Sequence, residues 1–219
     1  MAEAIRTTRR MVDRAVTTRR AEKRQELLDA ALRVIRRDGP GVSMDRIGVE
    51  AGVTKPILYR HFGHKRGLYQ AIAERYRTEM MRELHSALSW DLPPRELLRA
   101  TLEAYFTFVE RETPVFRFLS RTDTTGRPAL EASIADFQAQ VATEPTVVLR
   151  EQLKPAGADT GAADPWAYAL VGMARSVAEW WIDQPGMPRR HLLEYLTTLL
   201  WDGFAGVMEN ADSTNATSI

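Results

Sequence analysis

Apolar residues first recur at helical spacing at Leu27/Leu28, Ala31/Leu32 and Ile35, and Gly39-Pro40-Gly41 stops the pattern. Ser43 then reads as the N-cap of a short helix through Ala51, ended by Gly52. Thr54 reads as the cap of a third helix with Pro56 in its first turn, where a missing N–H costs nothing, and Gly63 ends it. Beyond it the spacing predicts helices over 65–88, 94–111, 114–120, 128–153, 165–182 and 188–208. The breaks fall at Asp91 to Pro94, Thr113-Pro114, Thr124-Thr125-Gly126, Pro155-Ala156-Gly157 and Gln184-Pro185-Gly186. No run alternates with period two between turn signals, so no sheet is expected. The pattern predicts an all-α chain of about nine helices. Residues 1–20 show no sustained apolar periodicity and predict a flexible arm, helical only on a partner; the small, polar segment 211–219 predicts a disordered tail.

Charge divides the chain in a way its net value of +1 conceals. Residues 1–82 hold 19 Lys/Arg against 10 Asp/Glu, whereas 83–219 hold 11 against 19. A basic module joined to an acidic one suggests a nucleic-acid-facing half and a half with another task. Basic helices that are merely solvated would give the same count, so charge alone does not decide. With no cysteine, disulfides, thiolate metal sites and cysteine nucleophiles are excluded. No stretch reaches the ~18 uncharged apolar residues of a membrane helix. The Arg-rich start has no apolar h-region and is not a secretory signal, although its paucity of acids leaves a transit peptide conceivable. The expected location is the cytoplasm.

Residues 44–63, MDRIGVEAGVTKPILYRHFG, decide what the basic half does. A helix-turn-helix needs apolar residues where its helices meet, a small residue at their closest approach and a turn residue tolerant of positive φ. Ile47, Ala51, Val53 and Leu58 supply the first, Gly48 the second and Gly52 the third. In such a motif the start of the second helix meets base edges, which puts Thr54, Lys55, Pro56 and Ile57 in the major groove. Lys55 suits guanine O6/N7 and Ile57 a thymine methyl. Ser43 caps the first helix while its amides face a phosphate, and Arg46 and Arg60 are further candidate contacts. His61 and His64 could be read as a metal pair, but the motif offers no acid beside them, and no metal or cofactor is expected.

The runs Leu27 to Ala31, Asp38-Gly39, Ser43 to Ile47, Ala51 to Lys55, Leu58 to Phe62 and Lys65 to Tyr69 resemble the N-terminal domain of TetR-type regulators. Gly48 departs from the usual alanine, and His64 precedes the lysine of the fourth helix. The resemblance implies phosphate contacts for Tyr59, His61 and Lys65. It also implies a division into an arm (1–20), a DNA-binding domain (21–82), an effector-binding and dimerisation domain (83–210) and a tail (211–219).

The second half is rich in apolar helices. Trp166, Leu170, Met173, Val177 and Trp180/Trp181 form one stripe, with Ala167, Val171, Ala174 and Ala178 beside it. In the last helix Leu192, Leu193, Leu196, Leu199, Leu200, Gly203, Phe204 and Val207 cover more than one face, which suits a helix buried on two sides, in an intersubunit bundle or at a monomer's centre. A homodimer is expected, because two motifs related by a two-fold read a palindromic operator in double-stranded DNA. Phe106, Phe116, Phe118, Met173, Val177 and Trp180 are expected to line a pocket for a small hydrophobic effector. The segments Ala104 to Glu110, Leu170 to Met173, Trp180 to Asp183 and Trp201 to Phe204 are similar to actinobacterial TetR-type regulators that bind fatty acyl-CoA. That likeness implies a long-chain acyl effector acting on a repressor. A drug-like aromatic effector, or an architectural DNA binder that senses nothing, is the alternative. No paired-carboxylate site, phosphate loop or activated nucleophile recommends an enzyme.

Overall fold

The motif's helices take their places because one face of the first long helix is apolar only at its C-terminal end. The structure, a computed structural model, describes residues 2–87, 92–120, 139, 141–143, 145–155, 157 and 159–216, with side chains for these except 2–13, 15, 87 and 204–216. The helices are α1 (Ala2–Asp38), α2 (Met44–Glu50), α3 (Lys55–Phe62), α4 (Lys65–Ala87), α5 (Pro94–Arg111) and α6 (Thr113–Ser120). Every described position from 139 to 153 is helical and forms α7; α8 (Ala163–Trp181) and α9 (Arg189–Ala216) follow, with a short 3-10 turn at Thr160–Ala162 before α8. The described residues are all-α, as expected. Asp91, the break at Thr124 to Gly126, the predicted helix start at Pro128 and Phe137 lie outside them, as do the side chains of Phe204 and Val207.

Two boundaries differ from the sequence pattern. α1 begins at Ala2, so the segment expected as an arm is helical. Residues 2–21 contain no glycine or proline, and Ala, Arg, Glu and Met sustain a helix without an apolar stripe. At the other end α9 continues to Ala216, with a non-helical kink at Gly203.

The chain forms two compact units, Met1–Tyr76 with Pro114–Arg121, and Arg77–Thr113 with Thr122–Ile219. In the first, Leu27, Leu28, Ala31, Leu32 and Ile35 of α1 are buried, and α1 packs against both α2 and α3. Ile47 and Leu58 close the angle between α2 and α3. Phe118 of α6 joins this unit, stacked at 4.5 Å on Tyr69 of α4. In the second, α5 packs on α9 and α8, with Leu97, Leu102, Phe106 and Val109 buried. The α8–α9 link is pinned by Trp181 Nε1 donating to the Met187 carbonyl at 2.8 Å and by the ion pair of Arg189 with Glu110.

Gly48 lies at the tightest point of the first unit. Val53 N–H donates to the Gly48 carbonyl at 2.9 Å, and a Cβ on residue 48 would stand 2.8 Å from the Val53 carbonyl oxygen. That neighbour is backbone, so relief requires α2 to move from α3. Alanine raises helix propensity by about 1 kcal/mol over glycine, but overpacking costs about 1–3 kcal/mol. Gly48→Ala is therefore expected to lose about 1 kcal/mol of stability in urea denaturation; a gain of similar size would show that the turn yields freely.

Candidate nucleic-acid interface

The turn between α2 and α3 is set by local chemistry. Ser43 Oγ accepts the Arg46 N–H at 3.2 Å, the expected cap of α2. Gly52 at φ +64° supplies the left-handed step that a side chain would resist. Thr54 holds the N-cap position of α3 with extended backbone, but its hydroxyl makes no cap bond. Pro56 has no N–H to offer, and the Ile57 N–H is taken by the Thr54 carbonyl at 2.9 Å. The exposed hydroxyl is left for another acceptor or donor.

The remaining candidate residues lie on α2, along α3 and at the start of α4, all within the first unit. Pro56 and Arg60 are exposed; Lys55, Ile57 and Tyr59 are half-buried. Lys55 Nζ lies 3.5 Å from Asp45 Oδ2, a loose and solvated pair. Lys65 opens α4, exposed, with its ammonium 5.8 Å from the Tyr69 ring centre. His64 caps α4, its Nδ1 accepting the Gly67 N–H at 3.0 Å. Arg46 is more committed than the sequence suggests, because its Nε donates to Asp38 Oδ2 at 2.9 Å. Arg37 binds Asp38 and Glu50 at 2.6 and 2.9 Å, tying the end of α1 to α2. The hydrogen bonds from Arg37 and Arg46 bring the Asp38 carboxyl down to about 2.

Three cations of α1 lie near α3: Lys23 and Arg24, which were not among the expected contacts, and Arg20, which was expected only as part of the basic arm. The Arg24 guanidinium lies 4.9 Å over the Phe62 ring, and Arg20 and Lys23 join it around His61. His61 Nδ1 is buried without a hydrogen-bond partner. Burial, then Arg60, Arg20, Lys23 and Arg24, push its pKa below the ordinary value. The signal was present in the sequence: Arg20 and Arg24 continue, four residues at a time, the phase of Leu28.

The expected pocket residues are not brought together within either unit. Phe116 and Phe118 are buried in the first. In the second, Phe106 is fully buried and meets Trp181 edge-on at 5.7 Å, while Trp180 is 49% exposed. Met173 and Val177 are half-buried on the same outer stripe of α8, and Trp166 there is 52% exposed. The face of α8 that packs into its unit is the small one, Ala163, Ala167, Ala174 and Ala178. Beside Phe106, burial raises the Tyr105 phenol above its ordinary range, with Arg175 opposing and Glu179 adding to the shift. Those two side chains pair at 2.7 Å.

Residues 27–72 match the family model for bacterial regulatory proteins of the tetR family, and residues 83–216 match that for the tetracyclin repressor-like C-terminal domain. The chain is 34% identical over 195 residues to an HTH-type transcriptional regulator of Mycobacterium tuberculosis, covering 89% of this chain and 82% of that protein. It is 31% identical over 193 residues to the HTH-type transcriptional activator FasR of Mycolicibacterium smegmatis, covering 86% and 85%. Its fold is similar to that of AibR, whose crystal structure contains isovaleryl coenzyme A and operator DNA, with TM-score 0.59, 21% identity and coverage of 82% and 98%. The matched families and these relatives are regulators rather than enzymes. Among the described residues no helix is long and apolar enough to cross a membrane.

The setting of His61 predicts a pH dependence of stability. Its native pKa lies below that of the unfolded chain, ~6.5, so the unfolded state takes the proton first. The contribution is fully present above that value and is lost as pH falls through the native one. Urea midpoints between about pH 7.5 and 5 should fall more steeply for the wild type than for His61→Gln. A steeper fall in the variant would reverse the sign assigned here.

Proposed function

The chain belongs to the TetR family of bacterial regulatory proteins, and on that premise we propose that it is a dimeric repressor released from a palindromic operator by a small hydrophobic effector. One observation carries the DNA reading: the first turn of α3 exposes Thr54 and Pro56 beside Lys55 and Ile57, on a helix whose angle to α2 is fixed by buried Ile47 and Leu58. Lys55 and Ile57 read bases, while Ser43, Tyr59, Arg60, His61 and Lys65 hold phosphates. Arg46, engaged by Asp38, orients the end of α1 and contributes less to binding. The relative FasR is an activator, so a transcription assay fixes the direction of control; the expectation is reduced transcription from a promoter that overlaps the operator.

The outer stripe of α8 supports the dimer. A monomer that hides four alanines and leaves Trp166, Met173, Val177 and Trp180 wholly or partly outside invites a second copy. Met173, Val177 and Trp180 are thereby assigned to the interface, and the effector's surroundings to the α5–α8 contact around Phe106 and Trp181. That contact combines an apolar interior with a polar end, the Tyr105 phenol and the Arg175–Glu179 pair. It suits an acyl chain bearing a polar head, since each buried CH₂ contributes about 0.8 kcal/mol. AibR, with its isovaleryl coenzyme A, is an instance of the fold holding an acyl thioester. A ligand releases DNA only by favouring the incompetent conformation, and a hundredfold effect needs about 2.7 kcal/mol of difference.

Lys55→Ala is expected to change which bases are preferred, costing about 1–3 kcal/mol on the best site and less on others. Titrations over a panel of duplexes check it, and an equal loss on every duplex would remove Lys55 from base reading.

Dimer and effector contacts separate by mutation. Met173→Asp should sediment as a monomer and lose operator affinity, because a carboxylate would be buried at the interface. Tyr105→Phe should remain dimeric and bind DNA normally, yet respond less to acyl chains of about twelve carbons or more, where each CH₂ adds affinity. A dimeric Met173→Asp with normal binding, or a chain-length series with no trend, would contradict the respective half.

A further inference from the structure

The apolar face of α1 does not end where its apolar residues end. Leu28, Ala31, Leu32 and Ile35 define the face packed into the first unit. At 100° per residue the same face passes N-terminally through Arg24 and Arg20 to Arg14. The helical register carries positions 10 and 6, both arginine, to that side as well.

Toward the C-terminal end of α1 the face is leucine and isoleucine; toward the N-terminal end it is arginine. Between Arg14 and Arg24 there are five basic residues and one acid, Glu22, a net of +4. Arg14, Arg19 and Arg20 are exposed and make no ion pair among the described residues, and Lys23 pairs only with the solvated Glu26. Arg24 stacks 4.9 Å over the Phe62 ring at the C-terminal end of α3, and Arg20, Lys23, Arg24 and Arg60 all act on the neighbouring His61, whose buried Nδ1 has no partner. Like charges gathered in this way repel one another unless an anion lies among them.

We propose that the Arg14–Arg24 stretch of α1 is a rigid DNA-backbone rail, seating phosphates beside the base pairs that α3 reads. It rests on the reading of the chain as a DNA-binding regulator and departs from a flexible arm in one respect: the helix fixes where the charges fall. Ten residues of helix span about 15 Å, the rise of about four base pairs. An anionic membrane fits less well, because residues 14–24 offer only Ala15, Val16 and Ala21 as apolar groups and none forms a stripe for insertion.

The test uses the full chain and a mixed-sequence DNA duplex, titrated by fluorescence anisotropy across a salt series. The triple variant Arg14→Gln, Arg20→Gln, Arg24→Gln, which neutralises the cations of that face, should lower the slope of log K against log salt by about 2–3. Thr17→Pro retains every charge but breaks α1 upstream of Leu27; it should lose helical circular dichroism, keep the thermal midpoint of the folded units, and bind at least about threefold more weakly, since Pro removes a helix bond and clashes with the preceding turn. A Thr17→Pro variant that binds like the wild type would make the segment a flexible arm and overturn the rail. An unchanged salt slope in the triple variant would overturn it too, as would lost binding to phosphatidylglycerol vesicles with DNA binding intact. Should the wild type bind no duplex, the regulator reading fails together with the rail; ordinary wild-type binding with an unchanged slope removes the rail alone.

Discussion

The close approach of α2 to α3 is the constraint on which the DNA-binding surface depends. The Val53 N–H bonds to the Gly48 carbonyl, the Val53 carbonyl leaves no room for a Cβ on residue 48, and Gly52 turns the chain between them. Behind that contact Ile47 and Leu58 are buried against α1. Because the interior is filled, the first turn of α3 has one place to go, and Thr54 to Ile57 are held out together. A looser joint would offer the same side chains over a range of angles and forfeit register on the groove.

Electrostatics adds a second constraint, and it works in two directions. The Arg37, Asp38, Glu50 and Arg46 network is balanced and binds α1 to α2. The Arg20, Lys23, Arg24 and Arg60 cluster has only the exposed Glu26 beside Lys23 as a counter-charge, and after burial it adds to the lowering of the His61 pKa. The first arrangement serves the protein's own structure; the second is left open to a polyanion. Both lie within the first unit.

What could be read from the sequence follows from which physical signals are local. The helix-turn-helix was legible because its turn glycine, capping serine and apolar spacing are each local requirements, and the structure fills each of them. The start of α1 was not, because apolar periodicity measures packing and residues 2–21 carry no apolar stripe; their composition favours a helix by propensity. Thr54 misled by composition, since a threonine before a helix predicts a cap bond, but Pro56 has no N–H and Ile57 gives its own to the Thr54 carbonyl. On α8 the two stripes were visible, and Met173, Val177 and Trp180 of the large one were expected to line a pocket. The unit packs the alanine stripe instead, and neighbouring Trp180 and Trp181, 100° apart, fall on opposite sides of the boundary. On the proposed dimer a second copy would cover the large stripe, and no single chain's pattern distinguishes a face buried in its own core from one buried in a partner.

Selection of bound sequences from a random DNA pool tests the central claim most directly, because it requires no prior operator. Two outward turns of α3 in a two-fold dimer should enrich a palindrome whose half-site centres lie about 34–36 Å apart, one helical turn, or a multiple of it. Enrichment of an unpaired single site, or of no sequence at all despite salt-sensitive binding, would contradict a base-reading dimer and leave only a backbone binder.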